Sequence, residues 1–560
     1  MKNIRIGEVL KEKGYVTDEQ INAAVEYQQA HRDSGKLLGA ILTEMGFVTE
    51  RQILTALGEK LNYQILSLET FPIDAEAVKR IPRTLASKYC AIAVAEKNRH
   101  LVVAINDPLN FYAIEDIRQM TGMTLEIALA ETNSIRRAID VYYSEIEARQ
   151  AATAYSESMG GMLSSLDVTA DADEGDETPA IKLLNSLLLH GYNIGASDIH
   201  IEPMETETRV RMRVDGMLLH YLMLDRRLHQ SIIARTKILS NLDIAERRSP
   251  QDGHFVARVE GVEMNLRVSM VPTVYGEKAV LRYLNSSTAI KNENQFGMNA
   301  QNYQKFLHML QNPNGIVYIT GPTGSGKTTT LYLALEELVK RQVNISTIED
   351  PVERHIRGVN QLQVNTAAGL TFESGLRSLL RQDPDIIMVG ETRDSETAAI
   401  SVRSAITGHL VLSTLHTNDA ISSIVRLEDM GVEPYLVANS LVGLVAQRLV
   451  RTICPYCKKA YTPNEEERLL FPTPPEVLYH GEGCPACNNT GYKGRVAVHE
   501  VVAVDRTIRR MISTHDPIED IYAYARENQG FTNLVEEARG LVEQGLTTTE
   551  ELLKLSYYVD

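Results

Sequence analysis

The sequence predicts a multidomain α/β chain organised around one strand–glycine loop–helix unit, and three observations carry that expectation. Gly315-Ile316-Val317-Tyr318-Ile319-Thr320 is a short β-branched run of the kind that forms a buried strand. Gly321-Pro322-Thr323-Gly324-Ser325-Gly326-Lys327-Thr328 follows it directly, and Leu331 to Leu338 then reads as a helix. The chain is also long, and 560 residues accommodate about three to five domains, each with its own core.

That unit meets the requirements of a phosphate-binding P-loop. The glycines let backbone N–H groups converge on phosphate oxygens, and the helix N-terminus adds a favourable dipole. Lys327 supplies a point charge for the β and γ phosphates. Thr328, with Thr329 beside it, supplies a hydroxyl for Mg²⁺. The stretch is an NTP site, with ATP and Mg²⁺ as the expected cofactors.

The formal net charge is −16, a field that repels phosphate backbones and weighs against nucleic-acid binding. Residues 1–8 lack the apolar core of a signal peptide, and no uncharged apolar run approaches the roughly 18 residues of a membrane span. The expectation is a cytoplasmic protein, reaching any membrane through partners. Five cysteines in so long a chain do not make a disulfide framework.

Residues 5–28 and 37–60 form an internal repeat. Arg5-Ile6-Gly7-Glu8-Val9-Leu10 aligns with Leu37-Leu38-Gly39-Ala40-Ile41-Leu42, and Gly14-Tyr15-Val16-Thr17 with Gly46-Phe47-Val48-Thr49. Ile21 and Val25 match Ile53 and Leu57, so each unit is predicted to hold two short helices, the second capped by Thr17 or Thr49. The pattern by itself fits a small helical docking module. Arg5-Ile6-Gly7, Leu10, Gly14, Ile21, Val25 and Gln28 also resemble, position by position, the motif of the MshE N-terminal cyclic-di-GMP-binding domain. That resemblance implies cyclic di-GMP as a regulatory ligand, contacted by Arg5, Gly7 and Gln28 in the first unit and by Leu38 and Gly39 in the second. Leu37 stands where the family motif has Arg, and Lys60 where it has Gln. Farther on, Ala91–Ala95 and His100–Ile105 read as strands, and Asn106-Asp107-Pro108 ends the second. Asp107 is either the side chain of an Asx-type turn or, as the resemblance implies, a residue near the ligand.

From Ser144 to Thr178 composition shifts to Ala, Ser, Asp and Glu, which predicts a flexible acidic linker. After Pro179 an apolar helix, Ile181–Leu189, leads into strands opened by Ala196–Pro203. Thr208–Val214 alternates basic and apolar residues and ends in an Asp215-Gly216 turn signal; residues 263–269 and 278–283 alternate likewise. Arginines on such a face are either solvated or reach a neighbouring subunit's γ-phosphate as arginine fingers.

Four stretches follow the P-loop: Thr347-Ile348-Glu349-Asp350-Pro351-Val352-Glu353, Pro384–Glu391, Thr407–Asp419 with histidines at positions 409 and 416, and Gln447–Arg451. Pro384–Glu391 reads as a buried strand ending in a carboxylate, placed to bind Mg²⁺ through water and orient the attacking water. In this order they resemble the Walker A, Asp box, Walker B and His box of secretion ATPases of the GspE/PilB family, over residues 179–560. The resemblance implies Glu353 as the Asp-box carboxylate, Glu391 as the catalytic acid, His409 and His416 as sensors of the γ-phosphate, and Arg267 and Arg282 as the fingers. It also implies a RecA-like core preceded by a PAS-like α+β domain, a homo-hexamer, and an inner-membrane platform protein of the PilC/GspF type with a cytoplasmic assembly adaptor as partners.

Cys454-Pro455-Tyr456-Cys457 and Cys484-Pro485-Ala486-Cys487 are two CxxC pairs with residues 458–483 between them. Two such knuckles make a closed four-thiolate Zn²⁺ site, structural because it leaves no open position. The expected domains are 1–150 (helical motifs 1–61, α/β part 62–150), linker 151–178, an α+β domain 179–295, the ATPase domain 296–450, a zinc subdomain 451–497 and a helical end 498–560. The expected function is a motor for an MSHA-like type IV pilus, with a type II secretion motor as the near alternative. A nucleic-acid translocase sharing the core is opposed by the charge, the lack of a basic tail and the absence of Trp. An idle sensor is opposed by intact Lys327 and Glu391.

Overall fold

The computed structural model describes residues 6–31, 37–97, 99–159, 179–284 and 296–559. The chain divides into two compact units, residues 1–286 with 484–489 and residues 287–483 with 490–560.

In the first unit the repeat folds as two helix pairs, Ile6–Glu12 with Asp18–Ala30 and Leu38–Glu44 with Glu50–Leu61. Thr17 and Thr49 are the N-caps, and each closes a capping box with the Gln three residues on. Val9, Leu10, Val16, Ala24 and their repeat mates Ile41, Leu42, Val48 and Ala56 form one shared core. The repeat is therefore a single packed body rather than two beads, because neither pair has enough apolar surface alone.

A four-stranded sheet follows, in the order Gln64–Ile65, Thr124–Leu129, His100–Ile105, Ala91–Lys97, with the last pair antiparallel. Helix Thr132–Met159 then runs well into the stretch expected to be linker. Its local sequence explains the extension: alanines at 148, 151, 152 and 154 favour helix, and Glu145 pairs with Arg149 one turn on at 2.9 Å. Ala148 is also fully buried, in the core of the next domain. The acidic stretch from 160 to 178 lies outside the described residues.

Residues 196–283 form a six-stranded antiparallel sheet ordered Met217–Asp225, Glu207–Val214, Ala196–Pro203, Gly276–Tyr283, Val262–Thr273, Gln251–Val259. Asp215 and Gly216 both take positive φ, 48° and 85°, as the predicted two-residue hairpin turn requires. Apolar side chains face helices Pro179–Asn193 and Arg227–Leu239, and the arginines face outward.

The second unit is built on a seven-stranded sheet in the order Asn360–Gln363, Ile345–Glu349, Ile386–Val389, Leu410–Leu415, Gly315–Thr320, Leu441–Ile453, Tyr492–Ala503. All neighbours are parallel except the last pair. Gly315–Thr320 is buried along its whole length, as its β-branched run predicts. The boundaries expected at 450/451 and 497/498 fall inside two strands that pair with each other from Gly443↔Ala503 to Ile453↔Tyr492. The cysteine segment is thus an insertion at the far end of a ribbon that belongs to the ATPase sheet. Helices Arg506–Ser513, Ile518–Gln529, Leu534–Glu543 and Thr549–Val559 close one face of that sheet.

Candidate active site and family

The site lies where the parallel strands end, the edge at which α/β sheets bind ligands. Helix Lys327–Val339 starts at the last residues of the glycine loop. Gly326 is in the left-handed region (φ 89°), and a Cβ there would stand 2.7 Å from Gln447 Nε2. A Cβ on Gly321 would stand 2.4 Å from the Gln447 carbonyl. Both positions need glycine because strand Leu441–Ile453 presses its backbone and Gln447 against the loop.

Gln447 lies in the stretch Gln447–Arg451, to which the motifs assign no role. Its Nε2 donates to the Ser325 carbonyl (2.9 Å) and its Oε1 accepts from Thr330 Oγ1 (2.7 Å). A buried polar residue in the apolar run Leu441-Val442-Gly443-Leu444-Val445-Ala446 was the available signal. Its neighbour Arg448 donates to the Asn418 carbonyl at 3.0 Å.

Lys327 Nζ donates to the carbonyls of Gly321 (2.7 Å) and Pro322 (3.0 Å), which leaves the third N–H of the ammonium for a phosphate oxygen. Burial, together with the Arg448 charge and against the pull of Glu391, lowers the Lys327 pKa to about 8. Thr328 and Thr329 are exposed in the first helical turn, with their hydroxyls available to a metal-bound phosphate. The Ser325 hydroxyl is buried with no partner among the described residues. A polyphosphate fits this donor set. Thr328 and Glu391 are the residues that would hold Mg²⁺.

Strand Ile386–Val389 delivers Glu391 to the same edge. Glu391 Oε2 lies 2.6 Å from Arg393 Nε and 3.8 Å from His416 Nε2. The Glu391 loop is pinned by Thr414 Oγ1 donating to the Gly390 carbonyl (2.8 Å) and by a Thr392–Ser413 hydroxyl pair (2.9 Å). Burial and the Lys327 cation hold the His416 pKa below its usual value, with Glu391 opposing them, so the ring at neutral pH is an uncharged donor.

The two histidines are not together. His409 precedes strand Leu410–Leu415 and bonds through Nδ1 to the Ser404 carbonyl (2.9 Å), while His416 follows the strand. Six extended residues separate them by roughly 20 Å. Within one chain His416 reaches the phosphate edge and His409 is at the opposite edge.

In the acidic stretch Glu349 is buried and engaged: it accepts from Tyr332 Oη, Thr347 Oγ1 (2.6 Å) and Gln361 Nε2 (3.1 Å). The Tyr332 hydroxyl also accepts from the Glu353 backbone N–H at 3.0 Å, fastening this loop to the P-loop helix. Glu353 itself is half-buried, whereas Glu349 is buried.

Residues 173–554 match the type II/IV secretion system protein family. The chain belongs to that family. It is 38% identical to a type IV pilus assembly ATPase PilB of Myxococcus xanthus, over 98% of each chain. It is also 38% identical to the type II secretion system ATPase E of Vibrio cholerae, over 87% of this chain and 98% of that one. The fold matches that of the Legionella pneumophila ATPase DotB with a TM-score of 0.51 at 21% identity, covering 70% of this chain and 100% of that one, a likeness of fold. Residues 61–149 match the MshEN domain. As a secretion/pilus ATPase the chain has no helix among its described residues long and apolar enough to cross a membrane.

The four cysteines of this secretion ATPase come together. Their sulfurs all lie within 4.8 Å of one another, and those of Cys484 and Cys487 are 3.7 Å apart, close to the edge of a tetrahedron built on Zn–S bonds of about 2.3 Å. Cys454, Cys484 and Cys487 are buried and Cys457 half-buried. The donor set fits Zn²⁺, and an ion held there would be structural, since all four positions would be protein. Cys90 caps a helix elsewhere and takes no part.

At the N-terminus the sequence-predicted ligand residues separate. Arg5 lies outside the described residues. A Cβ on Gly7 would stand 3.3 Å from Ile21, and one on Gly39 would stand 3.5 Å from Ile53. Gly7 thus serves a close helix approach, while at Gly39 a Cβ would make only ordinary contact. Gln28 and Leu38 are half-buried on the surface of the repeat. Asp107 accepts from the Leu109 N–H at 2.9 Å, an Asx turn.

On the 196–283 sheet, Arg211 is bidentate on Glu202 (both bonds 2.8 Å), Lys278 pairs with Glu202 (2.8 Å) and Arg282 Nε donates to Asp198 (2.8 Å). Burial raises the Glu202 pKa, but Arg211 and Lys278 outweigh it and hold the carboxyl at about 2. Arg267 faces Arg282 directly across the strand pair. Arg211 is locked in place, whereas the Arg282 side chain is 55% exposed and held by one acid.

Proposed function

We propose that this chain is a hexameric motor ATPase that drives assembly of an MSHA-like type IV pilus, or of a type II secretion pseudopilus, under control of cyclic di-GMP. The observation that supports it best is the convergence of Lys327, Glu391 and His416 on one sheet edge. The relatives named as a pilus assembly ATPase and a type II secretion ATPase support the choice of process.

In this reading the P-loop N–H groups and Lys327 hold the β and γ phosphates, and Thr328 would hold a Mg²⁺ that would neutralise their charge. Glu391 orients a water for attack on the γ phosphorus; the new P–O bond forms as the bond to the ADP oxygen breaks, giving ADP and phosphate. His416 donates to a γ-phosphate oxygen as charge develops there. Arg267 and Arg282 reach the γ-phosphate of a neighbouring subunit. The platform protein and the adaptor take up the resulting motion at the inner membrane.

Two expected results test these assignments. Turnover should rise more than linearly with protein concentration, and mixing Lys327→Ala with Arg267→Ala chains should restore part of it, since a mixed interface pairs an intact P-loop with an intact finger. Mixed rings that stay inactive would exclude fingers acting in trans. Cyclic di-GMP should bind the full chain in preference to GTP or cyclic di-AMP. Arg5→Ala should weaken that binding by about 2 kcal/mol, the scale of a charge-assisted bond. Calorimetry showing equal binding by both proteins, or none by either, would leave the repeat as a docking module.

A further inference from the structure

The segment that follows His416 is fastened at each of its residues. Thr417 N–H donates to Thr320 Oγ1 at the end of the P-loop strand (2.9 Å), and the Asn418 carbonyl accepts from Arg448 (3.0 Å). Asp419 accepts from Tyr522 Oη and from the Ser422 N–H (2.8 Å). Ala420 N–H donates to Glu500 Oε2 at 2.9 Å. The other oxygen of the same carboxylate, Oε1, accepts from the Leu534 N–H at 3.1 Å. Leu534 opens helix Leu534–Glu543, so this N–H has no partner within the helix, and a carboxylate there also complements the helix dipole.

Glu500 is 1% exposed and opposes Ala446 on the strand that carries Gln447 and Arg448. Secondary-structure formation alone does not call for a buried acid on this strand, and burying one is costly unless its bonds are specific. We infer that Glu500 is a positioning residue: its carboxylate couples the His416 loop to helix Leu534–Glu543, so that nucleotide contacts made at His416 are transmitted to the C-terminal helices. A carboxylate suits the task because each oxygen accepts a backbone N–H from a different segment. Glutamine can accept only one of them and presents an N–H to the other.

The charged and titratable groups facing Glu500 are Asp419 on the loop, Arg448 on strand Leu441–Ile453 and Tyr522 on helix Ile518–Gln529. Burial, with Asp419, raises the Glu500 pKa to about 7, against its two backbone bonds and Arg448. The folded-state pKa is thus above the unfolded one. The two-armed carboxylate is complete above about pH 7, and protonation below that pH turns one arm into a donor.

Since the inference rests on the motor reading, ATP turnover of the full-length wild type, Glu391→Gln and Glu500→Gln is measured side by side. Glu500→Gln should lower kcat about tenfold and leave KM for ATP within about twofold, the pattern of an interaction realised in the transition state. Wild-type kcat should show an acid limb near pH 7 that Glu500→Gln lacks. In hydrogen exchange with a non-hydrolysable ATP analogue, wild-type segments 417–423 and 533–540 should gain protection together, whereas in Glu500→Gln only the first should. A wild type without turnover sinks the motor reading itself. An active wild type and a dead Glu391→Gln, beside a Glu500→Gln with normal kcat or with both segments still responding, overturns this inference alone. If Glu500→Gln does not fold, a wild-type profile flat from pH 6 to pH 8 overturns it.

Discussion

Glu391→Gln is expected to bind ATP with nearly wild-type affinity and to hydrolyse it at least about 100-fold more slowly, the scale of losing one preorganised transition-state stabiliser. Glutamine keeps the size of the side chain but loses the charge that orients water, while Lys327 and the P-loop, which carry binding, are untouched. The same change removes the negative charge facing Arg393 Nε at 2.6 Å, so Arg393 should become more mobile. Lys327→Ala behaves differently. It removes the ammonium anchored on the Gly321 and Pro322 carbonyls, so nucleotide affinity and turnover should fall together. Equilibrium binding of a fluorescent ATP analogue and steady-state phosphate release separate the two variants. Near-wild-type turnover in Glu391→Gln would remove Glu391 from its role.

Removal of the metal should give the second large effect. The purified chain should hold about one Zn²⁺, and Cys457→Ser should lower that occupancy sharply while Cys90→Ser does not. In small modules structural zinc contributes on the order of 10 kcal/mol to folding. Here the cysteines sit at the end of the paired strands Leu441–Ile453 and Tyr492–Ala503, whose inner parts lie in the main core. Unfolding should therefore stay local, loosening residues 451–497 to proteolysis and hydrogen exchange while the P-loop remains ordered. Protein purified without chelator and free of metal by elemental analysis would rule the zinc site out.

Local chemistry made much of the site legible. Glycine spacing around Lys327, the apolar strand ending at Glu391 and the two CxxC pairs each compress a function into a few adjacent residues, and each folds as its pattern predicts. The composition shift at Ser144 does not mark the end of the helix, which continues to Met159. Alanine-rich helix needs only one buried face, and Ala148 supplies it against the core of the neighbouring domain.

What the sequence by itself determined was the identity of the parts: a glycine loop after a buried strand, an acid at the end of a second apolar strand, two CxxC pairs and a duplicated helical module. These are patterns with short spacing, where covalent geometry and side-chain chemistry decide. Tertiary structure alone decided which parts meet. It placed His416 beside Glu391 and left His409 at the other end of the strand, because an extended strand carries its two ends to opposite edges of the sheet. It also put Gln447 under the P-loop and Glu500 between Ala420 and Leu534. Those contacts depend on the order of strands in the sheet, a long-range property that no window of adjacent residues encodes.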